Sequence, residues 1–307
     1  MRDLLGGLSS GVLKVAVGGE PVIEHCTGAT DGIGSEPCTP GTRFQIASVS
    51  KQFTAAAVLV LVQQGHLAVG DPVARWFPGG PDGWEVVTVH HLLTHTSGLG
   101  HWEDFPEIDI FAAMSGEQLL RAIQTRQLLG TPGVRFSYSS PGYWLLARIV
   151  EKVSEQPYAQ FLTHRVLKPA GLADTFAGSA GQRPHVASGR TGGTPAPSYE
   201  LDHTGKGAGD IYSTASDIDR WNRSLRAVLP ADWCRRMMFT SHAAAGQSLG
   251  TWGKDDAYGY GWYLHSLGPM TLSYHSGHNS GFNSFSAWVP EKQLSLVILT
   301  NDDLIDP

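Results

Sequence analysis

Phe44-Gln45-Ile46-Ala47-Ser48-Val49-Ser50-Lys51-Gln52-Phe53-Thr54-Ala55-Ala56 is the stretch whose reading decides the fold. It begins as a short extended lead-in and breaks into a helix at Ser48. From Lys51 to Gln64 the residues are helix formers or apolar, and Gly65 supplies the stop. With Ala55-Ala56-Ala57-Val58-Leu59-Val60-Leu61-Val62 in its middle, the helix is apolar all round and must be buried. Its first turn nevertheless carries hydroxyls and an amine. Ser48 and Lys51 share a helix face about one turn apart, beside the unpaired N–H groups and positive dipole end of the N-terminus. A serine hydroxyl becomes a nucleophile when a base takes its proton, and a lysine is that base once burial lowers its pKa. The Ser48 N–H would then help to hold an oxyanion. An N-cap serine followed by a surface lysine gives the same S-x-x-K spacing, so the residues downstream decide.

Working outward, Gly11-Val12-Leu13-Lys14-Val15-Ala16-Val17 and Pro21-Val22-Ile23-Glu24-His25-Cys26 flank Gly18-Gly19-Glu20 and read as a β-hairpin. The C-terminal part switches to period two in Tyr260–Leu264, Met270–His275, Phe282–Trp288 and Leu294–Thr300, an antiparallel meander. Between them lie helical patterns: a short one over Thr88–Leu99 ending near Gly98, and a mostly helical insert from Trp102 to Leu129. Another runs over Gly142–Val153, and one opens at Thr214-Ala215-Ser216-Asp217, a capping box with Asp standing in for Glu. Residues Gly171–Gly207 are rich in Gly, Pro, Ser and Thr and read as a long loop with short strands. The economical solution is α+β, an antiparallel sheet completed by both termini and packed against a mostly helical lobe. The expected organisation is one domain over 1–307, with a sheet lobe of about 1–45 and 255–307 and a helical lobe of about 46–254.

The 307 residues suffice for a sizeable core, and the formal net charge is -6 with 16% charged residues and no basic run. Nucleic acid and anionic membrane surfaces are therefore not expected partners. No apolar stretch is long enough to span a bilayer, and Met1-Arg2-Asp3-Leu4-Leu5-Gly6-Gly7 lacks a signal peptide's core. A cytoplasmic location is expected. Of the three cysteines, Cys26 and Cys38 are able to bridge in an oxidising compartment, but three free thiols in a reducing one is the preferred reading. His90, His91, His95 and His101 invite a metal site. No acidic residue stands at ligand spacing among them, so packing and hydrogen-bonding roles are expected, with no metal and no cofactor.

Three motifs in order give the chain its resemblance to the serine β-lactamase-like superfamily, in the branch of class C β-lactamases, DD-carboxypeptidases and family VIII esterases. They are Ser48-Val49-Ser50-Lys51, Tyr138-Ser139-Ser140 and His275-Ser276-Gly277. The linking stretches His91–Leu99, Pro132-Gly133, Gly142-Tyr143 and Tyr258–Trp262 agree, so the similarity runs from about Gly11 to Asn301. The resemblance implies Ser48 as acyl-accepting nucleophile, Lys51 as its proton partner and Tyr138 as a second base or acid with a phenol pKa lowered by Lys51. His275-Ser276-Gly277 would line the cleft on a strand, Gly277 admitting substrate backbone, and the His278 N–H would complete the oxyanion hole with that of Ser48. Ser140, His275, Ser276 and Gly277 are the implied substrate contacts. Without the motifs, Tyr138 reads as a packed aromatic and His275 as a solvent-facing strand histidine.

Departures from the family pattern refine the expectation. Ser140 stands where relatives that handle amides carry Asn, and a hydroxyl is shorter and lacks an amide's paired donor and acceptor. His275 replaces a lysine that attracts a substrate carboxylate. Both termini are short for the family, so one sheet face is expected to be bare, to meet a partner chain (a homo-oligomer included), or to be covered in a longer protein. An esterase-type serine hydrolase of small acyl substrates is the first expectation. The same acyl-serine serving as an acyltransferase of secondary metabolism is the second, a β-lactamase, DD-peptidase or D-aminopeptidase the third. A non-catalytic module on an enzyme fold is the reading from another class.

Overall fold

The computed structural model describes residues 10–31, 36–246 and 251–304. Met1–Leu8 and residues 305–307, on which the expectation of short termini rests, lie outside the described residues.

The hairpin forms as read: β1 (Gly11–Val17) pairs antiparallel with β2 (Glu20–Thr27). Gly18 and Gly19 both take positive φ, +61° and +91°, as a tight hairpin turn of matching twist requires. The far end of the chain supplies β3 (Ala243–Ala244), β4 (Ala257–Tyr258), β5 (Tyr263–Leu267), β6 (Met270–Asn279), β7 (Phe282–Val289) and β8 (Leu294–Thr300). Because β1 pairs with β8 from Gly11↔Thr300 to Val17↔Leu294, the two ends make one eight-stranded sheet, β2-β1-β8-β7-β6-β5-β4-β3. The short β3 and β4 were not expected, and β5 begins only at Tyr263 because Gly261, at φ +78°, is pressed against Lys51 O and Gln52 Cα.

One face of the sheet carries Val12, Lys14, Ser286, Ser295 and Val297 and packs on helices; Asn222 donates to Ser295 Oγ at 3.0 Å. The opposite face presents Leu13, Val15, Leu296 and Ile298, all half-buried. On the helical side, α1 (Ser50–Gln63) follows a single 3-10 turn, Ala47–Val49, and every residue from Ser50 to Leu61 is buried. It is followed by α2 (Val89–Leu93), α3 (Gly116–Thr125), α4 (Ser140–Ser154), α5 (Tyr158–Leu162), α6 (Ala215–Val228) and α7 (Asp232–Met238). Phe53 of α1 stacks on Trp221 of α6 at 4.3 Å between ring centroids, which joins the buried helix to the one that lies on the sheet.

Several local expectations are corrected. The Thr88 helix stops at Leu93 and does not reach Gly98: Thr94 Oγ1 caps the His90 carbonyl at 2.8 Å, and His95 turns left-handed at φ +56°. Only α3 and a 3-10 turn at Trp102–Asp104 are helical within the insert of 102–129. At α6 Thr214 Oγ1 accepts from Asp217 N at 3.1 Å, but the reciprocal half of the capping box is missing. The Asp217 side chain, one methylene shorter than Glu, bonds Asp174 N and Thr175 Oγ1 instead, each at 2.8 Å. Cys26, Cys38 and Cys234 are free thiols.

Candidate active site

The site begins where the chain leaves Ile46. Ala47 adopts φ +46°, a left-handed conformation that costs an alanine of order 1 kcal/mol, and it swings Ser48 into the single 3-10 turn ahead of α1. Ser48 is half-buried at the cleft while Lys51 is entirely enclosed. Lys51 Nζ lies 3.0 Å from Ser48 Oγ, 3.2 Å from Ser140 Oγ and 2.9 Å from the Ala208 carbonyl oxygen. Burial pushes its ammonium pKa down to about 7, although the carboxylate of Asp210 pulls the other way. A neutral amine has N–H bonds for two acceptors and one lone pair, so these partners satisfy it completely.

Tyr138 is brought to the same place. Its ring centroid is 4.9 Å from Lys51 Nζ, and the ring lies between His95, at 4.3 Å, and His101, at 5.7 Å and nearly parallel. Ser48 faces the phenol and favours its ionised form. The expected lowering of its pKa does not occur: burial outweighs the effect of Ser48 and raises it above the ordinary phenol value. A phenol removed from water, beside an amine that is itself easily neutral, keeps its proton.

Strand β6 forms the opposite wall. His275 is buried there, so the solvent-facing alternative is overturned, and burial with Lys51 close by lowers its pKa to about 3. The partners fix the tautomers. His95 Nδ1 accepts from Ser139 N at 3.0 Å, so its proton is on Nε2, 3.3 Å from Tyr258 O. His275 Nδ1 donates to Ser276 O at 2.6 Å, which leaves Nε2 to accept from Tyr258 O–H at 3.1 Å. His275 is therefore a neutral scaffold residue. Gly277 also has a neighbour that was not foreseen. A Cβ there would lie 2.5 Å from Ile46 O, 2.5 Å from Ser284 Oγ and 2.8 Å from Ser48 N. Its bareness lets the strand press against the backbone of the Ser48 turn. His278 is exposed at the cleft, one residue further along that strand.

The cleft encloses about 310 Å³. Its lining includes Ser48, Tyr138, Ser140, His275, Ser276, Gly277 and His278, so the residues singled out in the sequence converge, with Lys51 sealed behind them. No lysine or arginine is among the described residues that line it. The packing and hydrogen-bonding role expected of His101 is met, but its partner was not foreseen: its Nε2 lies 3.1 Å from Ser140 Oγ. Sequence reading missed Asp210, buried near Lys51, whose own pKa burial raises to about 7. Asn279 was not foreseen either; it lines the cleft and donates to Gln45 Oε1 and Gly209 O at 2.7 and 3.0 Å. A histidine two residues beyond Leu99 carries no signal that it will meet Ser140.

A family model described as Beta-lactamase matches residues 1–305. Penicillin-binding protein 4* of Bacillus subtilis (strain 168) is 29% identical over 96% of this chain and 68% of its own length. The putative penicillin-binding protein PbpX of the same strain is 30% identical over 95% and 70%. Among solved structures, the octameric penicillin-binding protein homologue from Pyrococcus abyssi superposes with a TM-score of 0.85 at 24% identity, covering 98% of this chain and 72% of that one. The D-amino acid amidase from Ochrobactrum anthropi SV3, complexed with D-phenylalanine, gives 0.82 at 25% identity, covering 98% and 89%.

Proposed function

The chain belongs to the beta-lactamase family, and from that premise we propose that it is a serine acyl hydrolase that works through an acyl-enzyme on Ser48 and prefers esters of small acyl groups. The observation that carries this reading is the enclosed Lys51, 3.0 Å from Ser48 Oγ and with a pKa of about 7. Its lone pair takes the Ser48 proton as Oγ attacks the acyl carbon. The tetrahedral oxyanion lies against the Ser48 and His278 N–H groups. Tyr138, protonated because its pKa is raised, donates to the leaving oxygen and is reprotonated from Lys51. A water then enters, gives its proton back along the same route, and releases the acid.

An ester is favoured over an amide for two reasons. Ser140 Oγ is engaged by Lys51 and His101 and is not free to clamp a substrate amide. The cleft's described lining also lacks the cation that would hold a substrate carboxylate. The test is the intact mass of the protein after p-nitrophenyl butyrate or a fluorophosphonate. An acyl or phosphonyl adduct on Ser48, abolished in Ser48→Ala together with turnover, is expected; an unlabelled Ser48 overturns the reading.

A second reading, hydrolysis of β-lactam or peptide amides, is supported by the penicillin-binding names of its relatives. Nitrocefin turnover within tenfold of ester turnover would favour it. Adding amines or alcohols during ester turnover, with products read by mass spectrometry, distinguishes water from another acceptor and so hydrolysis from acyl transfer.

A further inference from the structure

The neutral lysine raises a question of hydrogen-bond sense. Its lone pair must face Ser48, yet Ser140 Oγ, 3.2 Å away, is also able to donate to it. If Ser140 did so, the lone pair would be occupied and Ser48 would lose its base. What decides is where the Ser140 proton goes.

His101 answers. Its Nδ1 faces the carboxylate of Glu103, which only accepts, so the Nδ1 position carries the proton. The ring is half-buried, and burial lowers its pKa although the Glu103 carboxylate pulls the other way, so the imidazole is neutral near pH 7. The other nitrogen, Nε2, is then an acceptor, and it lies 3.1 Å from Ser140 Oγ. The chain runs in one direction: Glu103 accepts from His101 Nδ1, His101 Nε2 accepts from Ser140 O–H, and Ser140 Oγ accepts from Lys51. The second Lys51 N–H goes to the Ala208 carbonyl at 2.9 Å. Only the lone pair remains, and Ser48 Oγ is the partner left for it at 3.0 Å.

We propose that His101, held by Glu103, is a positioning residue that acts through Ser140 to aim the free electron pair of Lys51 at Ser48. It makes a hydroxyl at position 140 sufficient where the family pattern has an amide side chain. The inference rests on the acyl-serine reading and adds to it a residue outside all three sequence motifs.

The experiment separates the acceptor atom of His101 from its ring. His101→Phe keeps a flat ring against Tyr138 but has no acceptor; His101→Gln loses the ring but puts an amide oxygen near the position of Nε2. With p-nitrophenyl butyrate, the acylation burst of H101F is expected to slow about tenfold at unchanged KM, the loss of roughly one oriented hydrogen bond. H101Q should stay within about threefold of the parent. Ser140→Ala should slow the burst similarly, and H101F should add little in that background, because the two act on one atom. Thermal melting of each variant shows that it is folded. A parent-like H101F, an H101Q as slow as H101F, or multiplying effects of H101F and S140A would each overturn the proposal. Turnover that survives Ser48→Ala overturns the acyl-serine reading with it, whereas a Ser48 adduct alongside an indifferent H101F overturns this inference alone.

Discussion

At the scale of single residues, the site is a matter of which groups hold their protons. Lys51 becomes a base as pH rises through about 7. The kcat/KM of ester hydrolysis should therefore fall on the acid side with a midpoint near pH 7, followed with a pH-stat or a pH-corrected chromogenic assay. Asp210 raises the Lys51 pKa through its negative charge. Asp210→Asn removes that charge, so the amine loses its proton more readily and the acid limb moves to lower pH; a limb that stays in place or moves up would contradict the assignment. His275 titrates far below this range, at about 3, and contributes no limb of its own near neutrality. The close approach of Ser48 and an enclosed Lys51, which the proposal reads as nucleophile and base, was legible in the sequence because S-x-x-K at the mouth of an apolar helix buries the amine. The direction of the Tyr138 shift was not, because a linear pattern shows a charged neighbour but not the depth at which two groups meet. The partner of His101 was not legible for a related reason: Ser140 is distant in sequence, and only the packing of the His101 turn on the start of α4 joins them.

At the scale of elements, α1 is the part the sequence describes best. An all-apolar run leaves a helix nowhere to lie but the interior, and its residues from Ser50 to Leu61 are buried. Its entry was harder to foresee. The 3-10 turn depends on a left-handed alanine, for which no residue type is diagnostic. Strand β6 reaches further than its period-two pattern suggested, to Asn279, because β7 pairs with it through Asn279↔Phe282. That extension places Gly277 against the Ser48 turn. Gly277→Ala would drive a methyl into Ile46 O, Ser284 Oγ and Ser48 N. We expect a stability loss of about 2 kcal/mol by overpacking and at least a tenfold fall in kcat, measured by urea denaturation and steady-state kinetics. A substitution that leaves both unchanged would mean that the strand moves freely away from the nucleophile.

At the scale of the whole molecule, the first and last strands are neighbours, and a single buried side chain ties their region together. Asn301 Nδ2 lies 3.1 Å from Ala29 O, 3.2 Å from Thr30 O and 3.1 Å from Ser188 O, while its Oδ1 accepts from Ser10 Oγ at 2.6 Å. Asn301→Ala leaves buried polar groups short of partners and should cost about 3 kcal/mol, lowering the melting temperature by about 5 °C for a chain of this length. Calorimetry checks this, and a shift of under 2 °C would show that the ends are held by the strand ladder alone. The α+β plan was legible because period two at both ends and period 3.6 between them leave few arrangements; the joining side chains were not. Strand β6 gives the sheet one more property. The pleat that turns His275 and Gly277 to the cleft turns Tyr274 to the reverse side, where it pairs with Ala287. A laboratory-evolution library confined to cleft residues would sample half of that strand. Mutations hidden behind it would reshape the same wall without ever meeting a bound substrate, and they belong in any attempt to retune its selectivity.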